Sequence, residues 1–169
     1  MSEKELNENA SKEAALQKHI ELQIEDRELI EIKVSGGLEA IMEAIRTRSG
    51  TEEILILFER DGDELDEKHG SRHSISVVAH RCKEIHITVR FEHRSEERSF
   101  KPSATINRVL QWAVKEFKLD ATQRSKANLI LPGTETPLLK DDVLAQYSKF
   151  PHCKLMLDLT LKDFTNGHG

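Results

Sequence analysis

The sequence predicts an α+β protein that uses one plan twice: two small units in tandem, each a mixed sheet of four or five strands crossed by a single helix. Three observations carry this expectation. Segments with an apolar residue at every second position, the mark of a half-buried strand, flank each of two helical stripes. The order strand, strand, helix, strand, loop, strand occurs within residues 18–80 and again within 81–162. The opening strand at Ile20 recurs at Ile85, and a spacing of about 65 residues is too long for a solenoid repeat and suits a tandem of small domains.

Residues 1–17 are polar, Glu-rich and without period, and read as a disordered arm with at most a short helix through Ala14 and Ala15. In "HIELQI", Ile20, Leu22 and Ile24 alternate with Glu21 and Gln23; "LIEIKV" alternates again through Ile30, Ile32 and Val34. With "EDRE" as the turn, this is a β-hairpin with one wet face. Gly36 and Gly37 interrupt it. Leu38, Ile41, Met42 and Ile45 then fall at the offsets of a helical stripe. Gly50 ends that helix, close to Arg46 and Arg48, whose charges suit a helix C-terminus. "EILILF" is a short continuous apolar run, expected as a central strand; "ERDGDELDE" is a loop and "SISVVA" the last strand of the unit.

After the short link "HRCK" the plan starts again. Ile85, Ile87, Val89 and Phe91 alternate with His86, Thr88, Arg90 and Glu92. "EHRSEER" reads as a polar turn before a short strand at Ser99–Lys101, which Pro102 ends. Ile106, Val109, Leu110, Ala113, Val114 and Phe117 form the strongest helical stripe in the chain, with Thr105 or Ser103 able to cap it. "ANLILP" is another short apolar strand, "GTETPLLKDD" a turn-rich loop, and "VLAQYSKF" a small helix or turn. Leu155, Leu157, Leu159 and Leu161 alternate with Met156, Asp158, Thr160 and Lys162 as the final strand; residues 163–169 are polar or flexible and read as a tail. One helix crossing a mixed sheet is a β-grasp arrangement, in which the helix buries its stripe on one sheet face and the other face stays partly wet.

Composition narrows the function classes. The 169 residues carry a formal net charge of -5, which argues against nucleic acid as the main partner. No apolar run approaches a membrane span, and the N-terminus lacks the apolar core of a secretory signal. Cys82 and Cys153 are solitary, without the spacing of a zinc site, a redox couple or a disulfide framework, so the expected compartment is the cytoplasm. Neither cysteine has a neighbouring base that would make it a nucleophile, and no nucleophile–base pair or metal set points to an enzyme. The acidic stretch "RDGDELDE" loosely resembles a calcium loop but lacks its ligand pattern and terminal Glu, and reads as a solvated turn. His69 and His73 are four apart, but Gly70 lies between them and the segment does not read as a helix. Trp112 sits between stripe positions and is expected to pack at a sheet edge.

From about Lys83 to Leu161 the chain resembles ubiquitin. "ANLILPGTETPL" looks like ubiquitin's third strand and following turn, and "VLAQYSKFPHCKLMLDLTL" like the stretch that runs through Asp-Tyr into its last strand; element order, Tyr147, Gly133 and the leucine register carry the likeness. The first half resembles the same fold more loosely, its loop between Asp61 and Ser71 looking too short for ubiquitin's small helix. Two such domains in one chain resemble the tandem ubiquitin-like modifiers: the interferon-induced protein and, preferred here for the polar arm and low identity, those of bacterial conjugation operons. That resemblance implies as partners an ATP-dependent activating enzyme, a conjugating enzyme with a catalytic Cys, a metal-dependent deconjugating protease and a target protein, in a setting such as antiphage defence. It implies no cofactor.

By the same resemblance the reactive group is the C-terminal carboxylate of Gly169, adenylated, passed on as a thioester and linked to an amine. Gly167, His168 and Gly169 would be the threaded end, and 162–166 the spacer; glycine, without a Cβ, suits a tight channel. Ubiquitin ends in Arg-Gly-Gly nearer its last strand, whereas this tail is longer and reads Gly-His-Gly. Ile130 aligns with the isoleucine at the centre of ubiquitin's receptor patch, while Asp158 stands where ubiquitin is apolar. A charge there interrupts a docking patch because burying it unpaired is costly, so ubiquitin receptors are not expected to bind. Two other readings stay open: a non-conjugated β-grasp scaffold, and a sulfur carrier, against which the tandem plan and the Gly-His-Gly end both count.

Overall fold

The computed structural model describes residues 17–162. The expected arm, apart from Gln17, and the expected tail at 163–169 lie outside the described residues. Two four-stranded mixed sheets are present, each with a helix packed on one face, so the fold is a tandem of β-grasp units.

In the first unit β1 (Gln17–Ile24) and β2 (Ile30–Ser35) pair antiparallel. Helix α1 (Leu38–Ser49) follows, then β3 (Ile56–Glu59) and β4 (Ser74–His80). The sheet order is β2-β1-β4-β3, with β1 and β4 parallel neighbours at its centre. Ile20, Leu22 and Ile24 share one face with Ile75, Val77 and Ala79, and α1 closes that face with Ile41 and Ile45. Gly36 makes the sharp entry to α1: its φ is +118°, and a Cβ there would lie 2.8 Å from the Ala40 Cβ. Gly50 ends the helix at φ 64°, its N–H donating to the Arg46 carbonyl.

The second unit repeats the topology with a deeper core. Its strands are β5 (Ile85–Phe91), β6 (Arg94–Phe100), β7 (Asn128–Ile130) and β8 (Lys154–Thr160), in the order β6-β5-β8-β7. Helix α2 (Ile106–Glu116) buries Ile106, Val109, Leu110, Ala113 and Val114 against them, the residues its stripe predicts. Thr105 caps it by accepting the Arg108 N–H at 3.2 Å. Ser103 does not cap; it is buried and serves the junction with the first unit.

Several local expectations need correction. "EILILF" supplies an edge strand, not a central one: only Ile56–Glu59 pairs, on the outer side of β4, and Ile54 is 86% exposed. "EHRSEER" is mostly strand. A two-residue turn at Glu92 and His93, with Glu92 at φ 58°, lets β6 run from Arg94. Its polar sequence fits an edge strand whose guanidinium groups lie over buried rings: Arg94 over Phe91 and Phe117, Arg98 over Phe100. A short helix, α3 (Ala121–Lys126), was not expected; a capping box between Asp120 and Gln123 starts it. The loop after Asp61 holds a 3-10 turn, His69–Ser71.

The largest departure concerns the first sheet's outer face. Phe58 and Val78 pair across β3 and β4 on the side away from α1, and they are 2% and 1% exposed. Val143 and Ala145 of the second unit bury them, with Ile56 packed alongside. At the rim the Asp61 N–H donates to the Ser103 carbonyl at 2.8 Å and the Ser103 hydroxyl to the Gly62 carbonyl at 2.7 Å. Arg108 donates to the Asp61 carboxylate at 2.8 Å, and Lys101 pairs with Asp63. The acidic loop that reads as merely solvated is therefore one of the first unit's polar contacts with the second.

Candidate functional site

β8 lies between β5 and β7, so the strand nearest the proposed reactive end is the middle of its sheet. Its Leu157 and Leu159 are buried in the core, Leu161 is half-buried, and the described chain reaches the surface at Lys162, whose N–H donates to the Thr160 hydroxyl at 3.2 Å. Gly167, His168 and Gly169 lie outside the described residues.

The outer face of the second sheet brings the other two candidate residues together. Ile130 on β7 sits opposite Asp158 on β8, and Asp158 sits beside Arg90 on β5. Arg90 holds the Asp158 carboxylate with two bonds, from Nε at 2.7 Å and Nη2 at 3.0 Å. Those bonds, with the carboxylate's charge, raise the Arg90 guanidinium further above its already high range. Asp158 is thus not the unpaired charge the sequence suggests. It still breaks the apolar surface between half-buried Ile130 and exposed Met156, but as half of an ion pair.

The two cysteines are not solitary. Cys82 and Cys153 form a disulfide across 71 residues of sequence. Their meeting follows from topology. β5 and β8 are parallel neighbours, with His86 beside Lys154, so the residues that precede both strands arrive at the same end of the sheet. The expectation of a cytoplasmic, disulfide-lacking protein therefore loses its support from cysteine usage. Among the described residues no helix is long and apolar enough to cross a membrane.

The disulfide is the last of three consecutive contacts between the link and the loop before β8. His80 Nε2 lies 3.2 Å from the Ser148 carbonyl. The Arg81 guanidinium lies 4.7 Å from the centre of the Phe150 ring. Cys82 is bonded to Cys153. Arg81 also reaches back to the first unit, donating to Glu25 at 2.8 Å and Glu53 at 3.4 Å. His80 is fully buried and accepts the Cys82 N–H on Nδ1 at 2.9 Å, so its hydrogen sits on Nε2 and is donated to Ser148. Desolvation pushes its pKa below the ordinary imidazole value; Arg81 adds to this, while the Ser148 bond and the Glu25 and Asp26 carboxylates oppose it.

The remaining polar clusters are structural. His69 Nε2 is 2.9 Å from Glu59, and its Nδ1 is 2.9 Å from the Asp66 carboxylate, which pins the long loop to β3. Desolvation would raise the Glu59 carboxyl, but the His69 and Arg72 hydrogen bonds outweigh it and hold the group low. Gly70 lets this loop touch the start of α1, since a Cβ there would meet the Leu38 nitrogen at 2.9 Å. Among the described residues no group of three His, Cys, Asp or Glu is placed to hold a metal ion. Trp112 packs edge-on against Phe100 with ring centres 5.5 Å apart, as expected of a sheet-edge residue.

Comparison with known proteins adds the family-level finding. Residues 86–162 match the family model described as BilA ubiquitin-like domain 2. A search of curated proteins gave no match. Solved structures similar to this chain include the N-terminal ubiquitin-like domain in the 4931431F19Rik protein, at 15% identity, with 48% of this chain and 77% of that one covered and a TM-score of 0.37. Another is the Arabidopsis thaliana protein At2g32350, at 17% identity, with 52% and 98% covered and a TM-score of 0.36. The second unit is thus similar to a ubiquitin-like family model in sequence and has the ubiquitin-like topology, and the first unit shares its strand order.

Proposed function

We propose that this chain is a ubiquitin-like protein modifier, as a tandem unit of a bacterial conjugation system of the kind used in antiphage defence. In this reading the Gly169 carboxylate attacks ATP at its α-phosphate, giving an acyl adenylate and pyrophosphate. An enzyme cysteine thiolate displaces AMP to form a thioester, and a target amine displaces the thiolate to form an amide. The chain supplies no base or metal to these steps; it supplies the carboxylate and the surfaces that place it. The observation that supports the reading is the match of residues 86–162 to the family model described as BilA ubiquitin-like domain 2, joined to a β8 that leaves its sheet at the surface with "DFTNGHG" beyond it.

The test uses the full chain with ATP, magnesium, a ubiquitin-like activating enzyme and a conjugating enzyme of a bacterial conjugation operon. A covalent adduct on the enzyme cysteine, cleaved by thiol reductant and lost on deletion of Gly169, is the expected result. An adduct that survives the deletion would remove Gly169 from its role. Binding of those enzymes without any adduct would favour the scaffold reading, for which the open outer face of the second sheet is the available surface.

A further inference from the structure

We propose that the outer edge of β6 is a docking strand for an extended acidic segment of a partner protein, which joins the second sheet as a fifth strand and sets two carboxylates on Arg94 and Arg98. This goes beyond the modifier reading and does not depend on it. An edge strand presents alternate N–H and C=O groups to whatever can pair with them. Three other strands also lie at sheet edges. On β3 the outer side is already taken: the Glu59 N–H donates to the Asp63 carbonyl at 2.9 Å, and the Leu65 N–H to the Leu57 carbonyl at 2.8 Å. On β7 the Leu138 N–H donates to the Leu129 carbonyl at 2.9 Å. Among the described residues no backbone bond reaches the outer edge of β6 or of β2.

The two open edges differ in their side chains. β2 turns Ile32 and Val34 into its core. In β6 the residues opposite buried Phe91, Val89 and Ile87 are Arg94, Glu96 and Arg98, so these stand on the helix side of the sheet. The Arg94 guanidinium lies 5.4 Å from the Phe91 ring centre and 5.3 Å from that of Phe117, and the Arg98 guanidinium 5.0 Å from that of Phe100. The rings hold both cations in place, yet neither guanidinium has a hydrogen bond or ion pair among the described residues. Arg90 and Arg108, by contrast, are engaged by Asp158 and Asp61. The charge of the unit points the same way: residues 83–162 hold 14 Lys and Arg against 10 Asp and Glu, whereas 17–82 hold 9 against 15. Arg94 and Arg98 are four residues apart, about 13 Å along a strand. A strand added beside them places its own residues i and i+4 next to the two guanidinium groups. Opposite charges across strands are favourable, and an acid facing Glu96 or Glu97 is not. The segment that fits therefore has acids four apart and none between them.

The test titrates the full chain, labelled with nitrogen-15, with a short capped peptide of Thr and Val that carries two Glu four positions apart. Amide signals of residues 94–100 should shift and saturate, while those of β2 stay where they are. The same peptide with Lys in place of Glu should bind at least about tenfold more weakly. The Glu peptide with its backbone amides N-methylated keeps its charges but has no donors for a strand, and should weaken at least as much. The double variant Arg94→Glu, Arg98→Glu should reverse the order of the Glu and Lys peptides, a gain that misfolding does not imitate. Equal binding of the two peptides, undiminished binding after N-methylation, or no shift at 94–100 under a large excess of the Glu peptide each overturns the proposal. So does inorganic phosphate that shifts the same signals as far at the same concentration, which would leave only a general anion site.

Discussion

On the first sheet the face turned from its helix carries Phe58, Val78 and His80, buried beneath Val143, Ala145 and Ser148 of the second unit. On the second sheet the matching face carries Thr88, Arg90, Met156 and Asp158 and lies open, with Met156 43% exposed and the charges paired to each other. The two faces share one backbone plan and differ only in side chains. Where that face loses its water it carries Phe58 and Val78, which have no charge to desolvate, and His80, which burial keeps neutral. A face that keeps its water can hold an ion pair at little cost. The difference gives the faces distinct places: one joins the units, and the other faces solvent.

The sharpest way to break this comparison is to truncate the same kind of side chain on each face. Phe58→Ala should cost about 3 kcal/mol in urea unfolding, as for other buried aromatics, whereas Met156→Ala should change stability by no more than about 0.5 kcal/mol. Equal effects would mean that the first face is not a buried junction.

A second measurement sharpens it through pH. His80 has a folded-state pKa below its unfolded value near 6.5, so the unfolded chain takes up the proton first as pH falls. The stability this group contributes is present above that unfolded value and is lost as pH drops below it toward the lowered folded one. Urea midpoints between about pH 7 and 5 should therefore fall more steeply for the native chain than for His80→Asn, which keeps an acceptor for the Cys82 amide. Parallel slopes would remove His80 as the titrating element of the junction.

The smallest effect belongs to the rim. The Arg108 hydrogen bond holds the Asp61 carboxyl below its ordinary value against desolvation, but both side chains are near half exposed. Asp61→Asn should cost about 0.5 kcal/mol at low salt and less at high salt. A cost that does not shrink with salt would place that pair deeper in the junction than its exposure suggests.

Much of this was legible in the residues. Helix α2 follows its stripe, α1 buries Ile41 and Ile45 of its stripe but leaves Met42 40% exposed, and the β1–β2 hairpin and β8 follow their alternation, because each has one apolar and one polar face. The junction is the part that periodicity misreads, although it leaves a trace. Val77 and Val78 are adjacent, which breaks the alternation of β4, and "EILILF" is apolar on both parities. Both point to strands buried on two faces, and a single small unit offers only one. β6 was hidden because its edge position accepts Arg and Glu where an inner strand would not. The disulfide was hidden because cysteine spacing is a local signal, whereas the meeting of Cys82 and Cys153 depends on which strands are neighbours. Asp158 could be placed on the outer face from its register, whereas the sequence leaves Ile130 between surface and core; His80 and Arg81 could not be placed, since their contacts exist only once the units are joined.

The central position of β8 has a consequence for synthesis. As the chain leaves the ribosome, the first sheet has all its strands once His80 has emerged, but the second lacks its middle until Lys154–Thr160 follows. For that interval the nascent protein is a finished unit with its bare Phe58–Val78 surface waiting for a cover that cannot yet form. Crowded polysomes would then hold many copies of the same sticky surface side by side, and a pause in translation between residues 80 and 154 would be the moment of greatest risk of aggregation.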